Sequence, residues 1–203
     1  MTQTEVGKYI RISISYTDDD GTVESHSAVS TSTVSNVNDS PTGLSFTSDG
    51  DVSDPEEDDT LTISGTVSDE DGTSGASYTY VWKRGGTAIS GASSTTYQVG
   101  QDDVGTIITA EISFDDDLGA SETITLTAAS DVDNVNDSPS GLSLASTGDL
   151  TDPDEGDVFS ITGTLSDDDG TSSASLAYTW KRDGSAISGA TSSTYTLVDL
   201  SLI

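Results

Sequence analysis

Residues 36–97 and 134–195 carry one text written twice. "NVNDSP" stands at 36–41 and again at 134–139, 98 residues further on. The same offset lays "YVWKRGGTAISGASSTTY" (80–97) on "YTWKRDGSAISGATSSTY" (178–195) and "SDEDGT" (68–73) on "SDDDGT" (166–171). It also lays "EVGKYIRISISYTDDDG" (5–21) on "DVGTIITAEISFDDDLG" (103–119). No gap is needed, and about two thirds of the positions in the longest match are identical. A period this long exceeds a solenoid repeat and suits a small domain. The expected organisation is three pieces: 1–35 as the last third of a repeat, 36–133 as a whole one, and 134–203 as the first two thirds of another. The final "VDLSLI" leaves the pattern where "GQDDVG" is expected, which reads as a segment of a longer protein or an interrupted frame.

The 203 residues include 36 acidic and 6 basic ones, a formal charge of −30. Nucleic acid and anionic membrane surfaces would be repelled, so neither is an expected partner; cations are the natural counterpart. Only 32% of residues are apolar, a level at which a chain this charged can be disordered; their regular patterning argues for a fold. There is no cysteine, which excludes disulfides, thiolate metal sites and cysteine nucleophiles. No window approaches the roughly 18 apolar residues of a membrane helix. "MTQTEVGKYIRISISY" lacks the basic-then-apolar order of a signal peptide. An export signal is expected to lie outside this segment.

Alternation with period two runs through the apolar residues. Leu61, Ile63 and Val67 share a face of 60–67; Tyr78, Tyr80 and Trp82 share a face of 78–82. Ile108, Ala110, Ile112 and Phe114 do so in 107–114, and Ile124, Leu126 and Ala128 in 122–128. Gly, Asp and Ser separate these runs, and no helical period is sustained. The expected fold is all-β, a sandwich with strands at about 43–47, 60–67, 77–83, 95–99, 106–114 and 121–128.

A Trp inside the third strand ("YVWKRGG"), then "TYQV", then "DDVGTII" before a late strand, resembles the immunoglobulin-like fold. Its D-x-G-x-Y signature becomes D-V-G-T-I at 103–107, with Ile107 in the Tyr position, and E-V-G-K-Y at 5–9, with Tyr9 in place. The inter-sheet cysteines of that fold are absent. The "W-x-R-x-G-x-x-I-x-G-A-x-S-S-T-Y" style and the "D-x-N-D" linker are similar to the tandem immunoglobulin-like and cadherin-like repeats of large, calcium-associated bacterial surface adhesins. The resemblance implies strands A to G in the order given (43–47 as A, 60–67 as B, 77–83 as C, 95–99 as E, 106–114 as F, 121–128 as G). It also implies an extracellular or cell-surface location.

In such a sandwich the B–C and F–G loops crowd the incoming chain, and the A–B and E–F loops crowd the outgoing chain. Asp69, Asp71, Asp115 and Asp117 are thus expected round the incoming Asn36, Asn38 and Asp39. Asp54, Glu56, Asp102 and Asp103 are expected round the outgoing Asp131, Asp133, Asn134, Asn136 and Asp137, where Asp167 and Asp169 of the next repeat would join them. Like charges at ~5 Å cost about 3 kcal/mol per pair at an effective dielectric near 20. Either these loops splay into water or they bind cations. Hard oxygen ligands at i, i+2 and i+4 suit calcium, and cadherin-like repeats use their D-x-N-D linkers that way. Asp69, Asp71, Asp167 and Asp169 also suit a plain turn-forming role, and neither loop has the full pattern of an EF-hand.

Trp82 and Trp180 alternate with Tyr80 and Tyr178 and read as core rather than as a sugar platform. Lys83–Arg84 and Lys181–Arg182 read as a solvated strand end that offsets nearby acids. His26, the sole imidazole, aligns with Ile124, so no Ser-His-Asp set is expected, and no phosphate loop or H-E-x-x-H occurs. The chain is thus expected to be no enzyme but a calcium-stiffened spacer of an adhesin, whose repeats contact their neighbours in the chain. The competing class is a glycan- or protein-binding module. Half-repeats at the two ends of the sequence expose sheet edges, and one complete domain of roughly 40 Å separates them. Head-to-tail self-association between copies is the expected consequence.

Overall fold

The computed structural model describes residues 3–198, in two compact units, 1–134 and 135–203. Among the described residues it is all-β, with antiparallel sheets and two single-turn 3₁₀ segments, Gln3–Glu5 and Gln101–Asp103. No helix among them is long and apolar enough to cross a membrane.

The first unit holds nine strands: β1 Arg11–Thr17, β2 Val23–Val29, β3 Thr42–Ser48, β4 Thr60–Ser68, β5 Thr79–Arg84, β6 Thr87–Ala88, β7 Thr96–Gln98, β8 Ile108–Asp115 and β9 Ser121–Thr127. β1 and β2 form a hairpin. β3, β4 and β7 form one sheet, and β6, β5, β8 and β9, in that order, form another. The two larger sheets face each other across Trp82, whose ring is wholly buried. It stacks on Phe46 and on Tyr97 with centroids 5.4 Å apart in each case, and its Nε1 donates to the Ser94 carbonyl at 2.8 Å. Leu61, Val99, Ile108, Ala110 and Ile112 complete the dry centre. The alternation read from sequence is the cause: along β8 the even-numbered residues are buried and the odd ones partly exposed. The expected strands agree with β3, β4, β5, β7, β8 and β9 to within about two residues; β6 was not foreseen. It exists because Gly85 and Gly86, at φ 50° and 84°, form a two-residue turn that folds β6 back on β5.

The second unit contains β10 Ser140–Ser146, β11 Val158–Ser166, β12 Lys181–Arg182, β13 Ser185–Ala186 and β14 Thr194–Thr196. β10, β11 and β14 form one sheet, and β12 pairs with β13. Registers repeat those of the first unit, 98 residues on: Phe46 faces Ile63 and Leu144 faces Ile161; Leu61 faces Tyr97 and Phe159 faces Tyr195. Asp183 and Gly184 take the turn of Gly85 and Gly86.

Candidate metal centre

Three loops of the first unit meet where the chain enters its main sandwich. Between β4 and β5, the Asp69 Oδ1 accepts the Asp71 N–H at 2.8 Å, and Gly72 closes the turn with φ at 92°. Between β8 and β9, the Asp116 Oδ1 accepts the N–H groups of Leu118 and Ala120, each at 2.8 Å. The incoming segment docks on the first loop, with the Asp39 N–H donating to Asp71 Oδ2 at 3.0 Å. Gln3, from the turn preceding β1, donates its amide to Asp39 Oδ2 (3.0 Å) and to Asp71 Oδ1 (2.5 Å). The Asn38 amide donates to Glu122 Oε1 on β9 at 2.6 Å.

Asp69, Asp71 and Asp116 each present a carboxylate oxygen, and these oxygens lie within 4.8 Å of one another. Asp71 and Asp116 are only 5% and 6% exposed. Asp69 Oδ2, Asp116 Oδ2 and Asn36 Oδ1 are buried without a hydrogen-bond partner. Unsatisfied buried acceptors cost free energy, and each carboxylate pair adds repulsion of about 3 kcal/mol. Every donor in the group is a hard oxygen, the preference of a divalent cation such as calcium.

The convergence expected of residues 36–39, 69–72 and 115–119 is present, but with a different acid at its centre. Asp115 points to the Ser121 hydroxyl (2.6 Å). Asp117 accepts from the Ser74 hydroxyl (2.7 Å) and from the Ser74 and Gly75 N–H groups (both 3.1 Å), bonds that hold its carboxyl below the usual range. Asp116, between them, turns inward. The sequence carried the signal: the alternation that buries Ile108, Ala110, Ile112 and Phe114 buries Asp116 when taken one step further.

At the opposite end of the same sandwich, Asp133 joins the β3–β4 loop through its N–H to the Pro55 carbonyl and its carbonyl to the Glu57 N–H, both 2.9 Å. Asp54 accepts from Ser130 at 3.3 Å, while Glu56 and Asp131 are exposed. Glu57, outside the set expected from the sequence, is a second buried acid here beside Asp103. With its nitrogen turned toward Glu57, the Gln101 amide donates to both carboxylate oxygens (3.0 and 3.1 Å) and its other end meets Asn134 at 3.2 Å. Asp103 serves differently. It is wholly buried, accepts Arg84 Nε at 2.6 Å on one oxygen, and the Tyr97 hydroxyl at 2.7 Å and the Gly100 N–H at 2.9 Å on the other. Asp102 lies 3.6 Å from the same guanidinium. Arg84 is therefore the anchor of a buried carboxylate rather than a solvated strand end.

Burial, then the neighbouring Asp103 charge, pushes the Tyr97 phenol from 10.0 up to about 12. A folded-state value above the unfolded one makes this contribution complete below pH 10 and lost as the pH climbs through about 12. Unfolding titrations should show an alkaline loss of stability in that window, and Tyr97→Phe should flatten it.

In the second unit, the Asp137 N–H donates to Asp169 Oδ2 at 2.9 Å and the Asp169 N–H to Asp167 Oδ1 at 3.1 Å, as Asp39, Asp71 and Asp69 do in the first. Asn136 donates to the Asp137 carbonyl at 2.8 Å. Compared with family models, with curated proteins and with solved structures, the chain matches none.

Proposed function

We propose that this chain is a run of immunoglobulin-like repeats acting as a non-catalytic spacer in an extracellular adhesin, with calcium fixing each repeat to the next. One observation carries the reading. Buried Asp71 and Asp116, with Asp69, sit at the linker, not on an outer face, and leave buried oxygens unpartnered there. The strand orders support the immunoglobulin-like assignment, since β3-β4-β7 corresponds to A-B-E and β5-β8-β9 to C-F-G. Asp69, Asp71 and Asp116 would hold the ion. Gln3, Asp39 and the Asn38–Glu122 pair would tie the preceding segment to it. A bound cation would replace mutual repulsion by attraction and convert a hinge into a fixed joint.

Thermal unfolding at constant ionic strength, with calcium, with magnesium and with chelator, tests this. Calcium at 100 times its dissociation constant should stabilise by about 2.7 kcal/mol, a rise of several degrees. Magnesium, smaller and reluctant to shed water, should do less. Equal melting in all three would leave the acids as solvated surface and the linker as a flexible hinge.

A further inference from the structure

We propose that the side-chain amide of Gln3 turns over when calcium enters, giving the ion its Oε1 where it now gives Asp71 an N–H. The inference rests on the calcium reading above and concerns how that site responds to its ion. Two oxygens of the acidic group, Asp69 Oδ2 and Asp116 Oδ2, are buried and unpartnered, and Asp116 is 6% exposed. Both oxygens of Asp71 are bonded instead. Oδ2 takes the Asp39 N–H at 3.0 Å, and Oδ1 takes Gln3 Nε2 at 2.5 Å. The same nitrogen reaches Asp39 Oδ2 at 3.0 Å. Gln3 thus sets its two N–H groups between two carboxylates, the role that a small cation would take.

Three carboxylates fall short of the roughly 6–8 oxygens that calcium takes. Gln3 is a neutral side chain already resting on one of them, and it carries an oxygen. Its amide has a donor side and an acceptor side, exchanged by a half-turn of the terminal torsion, which is broad and nearly two-fold. Without a cation the half-turn is opposed, because Oε1 would face Asp39 and Asp71. A divalent ion beside Asp71 inverts the preference: it repels the N–H groups and attracts Oε1.

The half-turn does two things at once. It adds an oxygen to the site, and it frees Asp71 Oδ1 and Asp39 Oδ2 from the N–H groups that hold them. The turn Gln3–Glu5 stays docked in either state, by hydrogen bonds without the ion and by coordination with it. Gln3 is therefore a specificity-determining residue for an oxygen-seeking ion as well as a tether.

Calcium titration calorimetry of the whole chain, joined to NMR of 15N-labelled glutamine, tests it. The sequence has three glutamines, Gln3, Gln98 and Gln101, so the signals that vanish in Gln3→Met are those of the Gln3 amide. In chelator its protons should resonate as carboxylate-bound, and saturating calcium should move them to the position of an amide whose N–H groups face water. Gln3→Met keeps the length but removes both donor and oxygen, and should weaken calcium binding about tenfold. Gln3→Glu offers oxygens without N–H groups, and should bind calcium at least as tightly as the parent while melting lower in chelator. A parent chain that binds no calcium would sink the calcium reading and this inference together. If the parent binds calcium, three results would each overturn the turnover alone: Gln3→Met binding as tightly as the parent, Gln3→Glu binding as weakly as Gln3→Met, or Gln3 amide protons that keep their chelator positions.

Discussion

Gly65→Ala should unfold the main sandwich at a much lower denaturant concentration, losing about 3–5 kcal/mol of a stability that for domains of this size is about 5–15 kcal/mol. The register between β3 and β4 slips from Thr42↔Ser68 to Leu44↔Gly65, so that Gly43 alone faces two residues of β4. Gly43 and Gly65 have φ of 99° and 109°, a region L side chains rarely enter. A Cβ on Gly65 would lie 2.1 Å from the Gly43 carbonyl oxygen, and one on Gly43 2.2 Å from that of Thr66. Both obstacles are backbone, so no rotamer change relieves them. Gly91→Ala is the control: its φ is 81°, but a Cβ there meets nothing within 4 Å, so only the conformational cost of about 1 kcal/mol should remain. Denaturation followed by Trp82 fluorescence measures both. Similar midpoints for the two variants would show that the bulge yields and that the close approach is not what holds these strands in register.

That bulge marks where the sequence stopped being legible. Alternation located six of the strands because it records which side chains leave water, and burial of Leu61, Trp82 and Ile112 is local to each strand. A slip of register depends on two strands together, and its one local sign is a glycine inside each of them, Gly43 and Gly65. The candidate site divides the same way. The meeting of residues 36–39, 69–72 and 115–119 followed from fold topology, and the structure brings them together. Which acid turns inward depends on phase. The alternation of β8, continued past its end, turns Asp116 inward and leaves Asp115 and Asp117 exposed. Asp103 looked like one more loop carboxylate beside Asp102. Its role became visible only once β5 placed Arg84, and β7 placed Tyr97, against it.

Asp116→Asn should stabilise the chelated protein and remove most of the stability that calcium adds. Without a divalent ion, the wild-type carboxylate lies within 4.8 Å of those of Asp69 and Asp71. Each pair costs about 3 kcal/mol at an effective dielectric near 20, so removing one charge should stabilise the chelated protein by a few kcal/mol. Asparagine keeps an oxygen that can accept the Leu118 and Ala120 N–H groups, so the β8–β9 turn should survive the change. With calcium present, the same substitution removes a full ligand charge from the proposed site, and most of the ligand-linked gain of about 2.7 kcal/mol should go with it. The variant should therefore melt above wild type in chelator and rise little when calcium is added, where wild type rises by several degrees. Asp117→Asn, at the neighbouring exposed carboxylate bound to Ser74 and Gly75, should keep the full calcium-induced rise. A variant that only loosened the loop would melt lower in chelator. One that only lightened a solvated acidic surface would melt higher in both conditions and respond to calcium as wild type does. Only a site in which Asp116 repels its neighbours when empty and binds with them when filled both raises the chelated melting point and removes the calcium response.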